Sequence, residues 1–398
     1  MEIMREEELL KYQNILLLQG PKGWFFYKLG KYFKNKGKVV YKINFNGGDL
    51  ITYPDFKNSF NFTDKIENWP EFLTNFLENK KIDVIFLYGD YKPYHRIAID
   101  IARKRNIDVY VFEEGYVRPY YITMEKWGIN GFSSLPKDPS FYLNLPDIEI
   151  PEPQPTEFSY IRQQFSRVVH YVFLELFRWK FRHYVPYKNY FPYVSTIFCF
   201  LRGLIRKGLY KFKDKKIFHL LKTELSKKYF LVALQCHNDS QIKIHSKYNS
   251  VEEFIEEVIK SFARHACKEH YLVFKHHPVD RGFKHYEKFI RKLAKEHEIE
   301  KRIFYVHDLH LPTLIKNSLG VVVVNSTVGL QALWHNIPVK TMGKAIYDIE
   351  DLTFQGTLDD FWKNPGEVDK NLFKKFYNYV IKTTQLNGSF YGRFPFKF

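Results

Sequence analysis

The fold is decided by residues 14–45, which read NILLLQGPKGWFFYKLGKYFKNKGKVVYKINF. Residues 14–18 have the apolar character of a buried strand, and residues 19–23 form a turn rich in glycine and proline. Residues 24–36 have helical spacing, and residues 39–45 are again apolar. Short apolar strands joined by helices are typical of a parallel sheet that is covered on both faces. We therefore expect an α/β fold.

The same pattern recurs twice along the 398 residues, on either side of a segment of different composition. The first part continues with strands at 84–88 and 109–112 and a helix at 93–105. The second part has strands and helices at residues 229–234, 251–267, 271–275, 284–297, 303–306, 320–324 and 327–335. This length suffices for two or three domains, each with its own core. We predict a division into residues 1–150, 151–228 and 229–398.

The middle segment carries most of the net charge of +17. Residues 158–228 contain 16 Lys and Arg, three acidic residues and 18 aromatic residues. Such a surface attracts anionic partners. Apolar residues recur there at helical spacing with arginines beside them, which is the composition of a helix at a membrane interface: Ile161, Phe165, Val168, Val172 and Leu176, with Arg162, Arg167, Arg178 and Arg182. A helix that packs on its own domain is the alternative.

Composition excludes several protein classes. With 45% hydrophobic and 26% charged residues, the chain is neither disordered nor fibrous. Cys199, Cys236 and Cys267 have no CxxC spacing, so we expect no disulfide framework or zinc knuckle and a reducing compartment. No apolar run approaches the length of a membrane span, and the acidic start is unlike a secretory signal. We expect a cytoplasmic protein that is soluble or peripherally attached.

Ligands of parallel α/β sheets bind at the carboxyl ends of the strands, so residues that follow strands are the candidates for chemistry. The first such group is Glu113 and Glu114, followed by Tyr116 and Arg118. Adjacent residues of an extended chain point to opposite sides, so one carboxylate is expected to face a cleft and to serve as a general base. A solvated loop with a Glu–Arg surface pair is the alternative.

The second group follows the strand at 229–234 and includes Gln235, Cys236, His237 and Asp239. Asp239 has the chemistry of a nucleophile or a base. The sequence Asn-Asp-Ser is also common in turns, so this group taken by itself favours a purely structural turn slightly over a catalytic site.

The third and fourth groups follow two further strands of the second part. Their residue types suit a phosphate or another leaving oxyanion, which cationic side chains and a helix N-terminus stabilise. They are Lys275, His276, His277 and Pro278, and Asn325, Ser326 and Thr327. A metal site is a weaker interpretation, because adjacent histidines rarely converge on one ion and no HExxH spacing exists. Capping of the helix alone is the alternative for the fourth group.

Long motifs resemble the KpsS/LipB family of capsule polysaccharide proteins along nearly the whole chain. They are GPKGWFFYKLG (20–30), INFNGGD (43–49), FEEGYVRPYYITMEKWGING (112–131), LQCHNDSQIKIHS (234–246), FKHHPVDRGF (274–283), HDLHLPTLIKNSLGVVVVNSTVGLQALWHNIPVK (307–340) and NGSFYGR (387–393). The Glu-Glu-Gly and His-Pro elements are also similar to those of bacterial sialyltransferases, which use a CMP-activated keto sugar. The basic aromatic segment carries no motif of this kind.

The resemblance implies a GT-B arrangement of two Rossmann-like domains facing a central cleft, with the basic aromatic helices as an insertion. It implies a retaining glycosyltransferase that moves Kdo from CMP-β-Kdo to a (lyso)phosphatidylglycerol acceptor and starts a poly-Kdo linker. The enzyme would need no cofactor or metal. It would lie peripherally on the cytoplasmic face of the inner membrane, with other capsule assembly proteins as further partners.

The resemblance also implies roles for individual residues. Asp239 becomes the nucleophile and Glu114 the base, with Glu113 as second choice. Donor binding falls to Gln235, His237, Lys275, His276, His277, Pro278, Asn325, Ser326 and Thr327. Acceptor binding falls to Gly20, Lys22, Tyr116 and Arg118.

Two other functions compete with a transferase. Basic residues interleaved with aromatic ones also bind single-stranded nucleic acid, although that function leaves the polar strand ends unexplained. A non-catalytic scaffold for capsule assembly would retain CMP binding without turnover. We expect neither, and no nucleic-acid partner.

Overall fold

The computed structural model describes residues 7–187 and 193–397, so residues 188–192 of the basic aromatic segment lie outside the description. The chain divides into two compact units. The first comprises Met1–Ser134, Ile148–Asn189 and Asn378–Phe398, and the second comprises Leu135–Asp147 and Tyr190–Tyr377. The predicted functional division at residues 150 and 228 stays a prediction.

The described residues contain twelve strands. They are β1 (Asn14–Leu17), β2 (Val39–Asn44), β3 (Ser59–Asn61), β4 (Val84–Tyr88), β5 (Asp108–Glu114), β6 (Tyr121–Lys126), β7 (Tyr229–Ala233), β8 (Tyr271–Lys275), β9 (Ile303–Val306), β10 (Gly320–Val323), β11 (Val339–Thr341) and β12 (Gln385–Asn387).

The described α-helices alternate with most of these strands. They are α1 (Phe25–Asn35), α2 (Gly47–Thr52), α3 (Trp69–Asn79), α4 (Pro93–Lys104), α5 (Pro139–Leu143), α6 (Tyr160–Leu176), α7 (Tyr193–Lys213), α8 (Lys215–Lys222), α9 (Ser240–His245), α10 (Val251–His265), α11 (Glu287–Glu296), α12 (Leu311–Asn317), α13 (Val328–Trp334), α14 (Leu358–Phe361) and α15 (Lys370–Thr384). A 3₁₀ turn at Pro278–Gly282 follows β8.

Each unit is built around one sheet. In the first unit the described strands follow the order β12-β6-β5-β4-β1-β2-β3, where β1 to β5 are parallel and β6 and β12 are antiparallel. In the second unit the order is β11-β10-β7-β8-β9, and every pairing is parallel. The predicted α/β class and its two Rossmann-like units are therefore confirmed.

The apolar strands are buried on both faces, which explains their uninterrupted hydrophobic sequence. On β1, Ile15 and Leu17 pack with Phe25 of α1, whereas Leu16 and Leu18 pack on the opposite face with Trp69 of α3. All these side chains are buried. The predicted strands and helices agree with the observed ones to within three residues at each end.

Helix α6 is inverted: its polar face is buried and its apolar face is exposed. Ser166 and His170 are buried against the rest of the first unit, and a Cβ on Gly48 would lie 2.3 Å from Nδ1 of His170. The apolar residues of the predicted interfacial stripe are each 44–79% exposed: Ile161, Phe165, Val168, Val172 and Leu176. The predicted stripe is therefore largely exposed among the described residues, although the Phe165 ring stacks on Trp24 with 6.3 Å between centroids.

Helix α7 in the second unit has the same character. Its packed face touches the turn Pro278–Gly282, where a Cβ on Gly282 would lie 1.8 Å from the carbonyl oxygen of Cys199. Its other face leaves large apolar residues 50–80% exposed, namely Phe198, Leu201, Leu204, Ile205, Leu209 and Phe212. Within residues 7–187 and 193–397, no helix is both long and apolar enough to cross a bilayer.

Candidate functional site

Glu113 and Glu114 end β5 and lie on opposite faces of the sheet, as predicted from the alternation of a strand. An oxygen of the Glu113 carboxylate accepts the backbone N–H of Glu114 at 3.1 Å. Burial raises the pKa of Glu113 to about 7, although hydrogen bonds from the Glu114 backbone and from Tyr88 oppose the rise. A carboxyl that titrates near neutral pH is suited to general-base catalysis.

Buried charges accompany Glu113 in the first unit. Lys92 is 4% exposed, and burial lowers its pKa to about 7 against the opposing effect of Asp49 and Glu113. The carboxylate of Asp49 accepts from Gln19 Nε2 at 3.0 Å and is also buried. Burial raises the pKa of Asp49, with Lys42 opposing. Sequence reasoning missed Asp49 and Lys92 as site residues, although they lie shortly after β2 and β4.

The predicted acceptor-binding residues have structural contacts of their own. The Tyr116 hydroxyl donates to the Glu125 carboxylate at 2.6 Å, and Arg118 Nε donates to the carbonyl oxygen of Gly115 at 3.1 Å. Lys22 Nζ lies 4.2 Å from the centre of the Tyr171 ring. A Cβ on Gly20 would lie 2.8 Å from the Phe26 ring, so close packing requires glycine there.

In the second unit, Gln235 joins the ends of two neighbouring strands. Its Nε2 donates to Asn325 Oδ1 at 3.0 Å and contacts Asp239 Oδ2 at 3.3 Å. Asp239 Oδ1 accepts the backbone N–H of Gln241 at 3.0 Å and caps α9. The structural turn is therefore present, and it holds the Asp239 carboxylate beside Gln235 and Asn325.

A buried aspartate that sequence reasoning did not select organises the same strand end. Asp280, in the turn after β8, has no exposed surface and accepts from the His237 backbone N–H at 2.6 Å. The other carboxylate oxygen contacts His237 Nδ1 at 2.5 Å and Cys236 Sγ at 3.0 Å. Burial alone would raise the pKa of Asp280, but these hydrogen bonds outweigh it and lower that pKa. Its position two residues after the His-His-Pro motif was the available signal.

The adjacent histidines of the third group have different surroundings. His276 is buried, its Nδ1 lies 2.6 Å from the Tyr305 hydroxyl, and burial together with His307 lowers its pKa to about 3. His276 is therefore neutral. His277 is partly exposed, and its Nδ1 accepts the Val279 N–H at 3.2 Å, so Nε2 is the ring nitrogen that can donate to a ligand.

The remaining donor-side residues lie at the expected strand ends. Lys275 is buried, and burial lowers its pKa, with Asp308 opposing. Pro278 begins the 3₁₀ turn. The Ser326 hydroxyl accepts the Val328 N–H at 3.3 Å, whereas Thr327, the residue that precedes α13, makes no capping hydrogen bond with its side chain.

Cys236, His237 and Asp280 also bring three possible metal-binding atoms within 4.8 Å of one another, the only such group in the described part of the chain. The carboxylate, however, is already the acceptor for the other two side chains. The distances of 2.5 and 3.0 Å are those of a hydrogen-bonded cluster, so the contacts favour direct pairing over ion coordination.

Comparison with known proteins covers almost the full length of the chain. A family model described as capsule polysaccharide biosynthesis protein matches residues 83–391. The chain is 41% identical over 387 residues to the capsule polysaccharide export protein KpsS of Escherichia coli, covering 96% of this chain and 98% of that protein. It is 40% identical over 397 residues to the capsule polysaccharide modification protein LipB of Neisseria meningitidis serogroup A, covering 97% and 94%.

Among solved structures, the chain is similar to KpsC of Thermosulfurimonas dismutans, described as a beta Kdo 2,7 transferase. The TM-score is 0.44 at 14% identity, over 94% of this chain and 92% of that one. The sequence matches decide the relationship, and they confirm the resemblance seen in the motifs. The chain belongs to the KpsS/LipB family of capsule polysaccharide biosynthesis proteins.

Proposed function

We propose that this chain is a retaining glycosyltransferase that transfers Kdo from CMP-β-Kdo to a (lyso)phosphatidylglycerol acceptor and so starts a poly-Kdo linker. The observation that carries the proposal is Glu113, a carboxyl at a strand end with a pKa of about 7. Such a group accepts the proton of a hydroxyl nucleophile at physiological pH. Family membership supports a role in capsule polysaccharide biosynthesis, and the choice of Kdo as the sugar rests on the resemblance of the motifs.

Retention of the β configuration requires two successive inversions. In the first, the Asp239 carboxylate attacks the anomeric carbon of Kdo, and the bond to the CMP phosphate breaks with its electron pair passing to the phosphate oxygen. In the second, the acceptor hydroxyl attacks the same carbon and Glu113 takes its proton, which frees Asp239. We favour Glu113 over Glu114 as base because burial prepares Glu113 to hold a proton near pH 7.

The leaving phosphate is stabilised by fixed donors. Lys275 ends β8 and His277 follows it, and the hydroxyl of Ser326 lies next to the first turn of α13. Groups of this kind stabilise a developing negative charge without a metal ion.

We further propose that α6 and α7 dock the protein on the cytoplasmic face of the inner membrane. The exposed apolar stripe of α6 is accompanied by Arg162, Arg167 and Arg178, all exposed. Apolar side chains that enter the interface and cations that attract anionic headgroups act together in peripheral binding. An anionic lipid surface therefore fits both properties of these helices.

The decisive experiment incubates the protein with freshly generated CMP-β-Kdo and lysophosphatidylglycerol and analyses both lipid and protein by mass spectrometry. We expect a lipid carrying one β-linked Kdo, which Glu113→Gln and Asp239→Asn lose and Glu78→Gln, an exposed control on α3, retains. An α-linked product, or a Kdo adduct on another residue, would contradict the assignment of Asp239. CMP binding without transfer would indicate a scaffold, and preferential binding of RNA over vesicles a nucleic-acid-binding protein.

A further inference from the structure

The Asp280 carboxylate is fully buried, yet its hydrogen bonds preserve its charge. One oxygen accepts the backbone N–H of His237 at 2.6 Å, and the other contacts Nδ1 of the same residue at 2.5 Å and Sγ of Cys236 at 3.0 Å. A buried carboxylate needs such donors or a cation, because its desolvation is otherwise too costly. Two of these three contacts go to His237, so the site is organised around that residue.

These contacts determine how the His237 ring lies. Nδ1 is committed to Asp280, and one face of the ring stacks on Phe283 with 5.8 Å between centroids and 25° between planes. With Nδ1 held by Asp280, the ring nitrogen of His237 that is left for ligand chemistry is Nε2. His277 presents Nε2 in a similar way because its Nδ1 accepts from its own turn, whereas His276 is buried and neutral.

We propose that Asp280 is a positioning residue that fixes the orientation of the His237 ring, so that Nε2–H donates to the departing phosphate of the donor. The inference rests on the proposed function and assigns one donor of the leaving-group site. As the bond between the anomeric carbon and the phosphate oxygen breaks, its electron pair passes to that oxygen. The charge-assisted hydrogen bond from Nε2 strengthens with the developing charge, and no proton transfer is needed.

The other charged groups near this pair do not compete with Asp280 for the His237 ring. Arg281 is turned to Asp308, with Nε–Oδ2 and Nη2–Oδ1 distances of 2.6 and 2.5 Å. The titratable groups that interact with Asp280 are, besides His237, Cys236 on the same strand end and His276, Tyr286 and Tyr305 on neighbouring elements. Burial keeps His276 neutral and raises the pKa of both tyrosines, so none of these three carries a competing charge near pH 7.

The turn that carries Asp280 is anchored from outside. Arg202 Nε donates to the Gly282 carbonyl at 2.7 Å, and Arg206 Nη1 donates to the Arg281 carbonyl at 2.9 Å. Both arginines belong to α7. A carboxylate on a turn held at two carbonyls can position a partner more accurately than one on an unsupported loop.

The test compares wild type with Asp280→Asn, His237→Ala and the control Asp308→Asn, which breaks the neighbouring Arg281 pair without touching His237. Calorimetry with CMP at one pH is combined with steady-state transfer kinetics, and the double variant Asp280→Asn/His237→Ala is included. We expect Asp280→Asn and His237→Ala each to weaken CMP binding by roughly 10-fold, because both remove the same oriented hydrogen bond to the phosphate. The double variant should be no weaker than His237→Ala, since Asp280 acts through His237. Asp308→Asn should bind CMP like the wild type.

In kinetics, Asp280→Asn should lower kcat by roughly 10- to 100-fold with little change in KM, because the hydrogen bond matters most in the transition state. Additive losses of kcat for Asp280→Asn and His237→Ala in the double variant would overturn the inference and leave the transferase proposal intact. If Asp280→Asn does not fold, unchanged kcat and CMP affinity in His237→Ala would overturn it. A stoichiometric divalent ion whose chelation lowers CMP affinity as Asp280→Asn does would replace the direct contact with a metal site. A wild type that binds no CMP would overturn the donor assignment itself.

Discussion

Glu113 and Glu114 show how neighbouring residues of one type acquire different chemistry. They alternate across β5, so Glu113 shares the face of Val109 and Val111, which belong to one buried cluster, while Glu114 follows Phe112 on the other face. Burial raises the pKa of Glu113 to about 7. The surroundings of its side chain therefore make Glu113 the candidate for the base.

The first prediction concerns the pH dependence of transfer. A base must be deprotonated, so we expect kcat/KM to rise with pH through about 7, the pKa of Glu113. Glu113→Gln should lower transfer by roughly 10²- to 10⁴-fold above the pKa of Glu113, and the difference should shrink at lower pH where the wild-type carboxyl is protonated. Rates of the wild type and Glu114→Gln across the same pH range provide the comparison. A wild-type profile that is flat between about pH 5 and 8 would contradict the role of Glu113.

The raised pKa of Glu113 also predicts how the stability of the fold depends on pH. The transfer rate should rise with pH, whereas the contribution of Glu113 to stability should fall. A carboxyl whose pKa is raised in the folded state stabilises the fold at low pH, and this contribution is lost as pH rises from about 4.5 to about 7. Glu113→Gln removes this pH-dependent loss of stability, because glutamine does not ionise. We expect the variant to exceed wild type in Tm at about pH 8 and to match it near pH 4.5, as measured by thermal unfolding. A lower Tm than wild type at the higher pH would show that the carboxylate is stabilised by its partners.

A third prediction at the residue scale separates the two adjacent histidines. His277 is partly exposed and can donate through Nε2, so His277→Ala should lower CMP affinity and kcat together. His276→Asn should chiefly lower Tm, because His276 is buried and bonded to Tyr305. Calorimetry, transfer assays and thermal unfolding measure these effects. Full activity of His277→Ala would refute its role at the phosphate.

At the scale of elements, the contact between α7 and the turn Pro278–Gly282 links a surface helix to the candidate donor site. The helix approaches so closely that only glycine fits at 282, since a Cβ there would overlap the carbonyl oxygen of Cys199 at 1.8 Å. The overlapping atom belongs to the backbone, which cannot move aside as the end of a flexible side chain can. The close approach also brings Arg202 and Arg206 within reach of the carbonyl groups of this turn.

The fourth prediction uses this glycine and a control on the same helix. Gly282→Ala should destabilise the second unit by ~1–3 kcal/mol through overpacking and should weaken CMP binding as the turn shifts. At Gly208, on the exposed part of α7, a Cβ would meet no described atom within 4 Å, so Gly208→Ala should stabilise the helix by about 0.5–1 kcal/mol. Thermal unfolding and CMP calorimetry test both. Equal effects of the two substitutions would contradict the packing described for α7.

At the scale of the whole molecule, the net charge of +17 and the exposed apolar stripes of α6 and α7 belong to the same stretch of sequence. In most helices of soluble domains the apolar side is buried. Here Ser166 and His170 occupy the packed side of α6. This inversion is the structural observation that supports membrane docking.

The fifth prediction tests that docking by co-sedimentation with vesicles. We expect binding to phosphatidylglycerol but not to phosphatidylcholine, with loss of binding at high salt because exposed charges are screened. The charge variant neutralises Arg178, Lys180, Arg182, Lys207 and Lys211 and should lose vesicle binding while keeping CMP affinity. Arg206 is left in place because it holds the turn beside Asp280.

A control variant with the same change in charge removes exposed lysines elsewhere in the second unit: Lys268, Lys288, Lys292, Lys295 and Lys301. It should retain vesicle binding. Equal loss of vesicle binding in both variants would show that net charge alone is responsible. Equal binding of the wild type and the charge variant to both lipids would contradict the docking proposal.

The order of strands and helices, the α/β class and the location of candidate residues at strand ends follow from the sequence alone. These properties are local: residues 14–45 specify strand, turn and helix by their own apolar spacing, and every parallel strand in a sheet ends at the same edge. The inverted stripe of α6 was also readable, since Ile161 to Leu176 recur at helical spacing among arginines.

Only the tertiary structure decided which of these residues share an environment. Asp280 lies 43 positions from His237, and no local pattern reveals that its carboxylate receives that residue's backbone and ring nitrogens. The surroundings at the end of β5 likewise raise the pKa of Glu113, and burial separates His276 from His277. Desolvation and long-range hydrogen bonds depend on which side chains the fold brings together, whereas strand and helix propensity depend on neighbours in sequence.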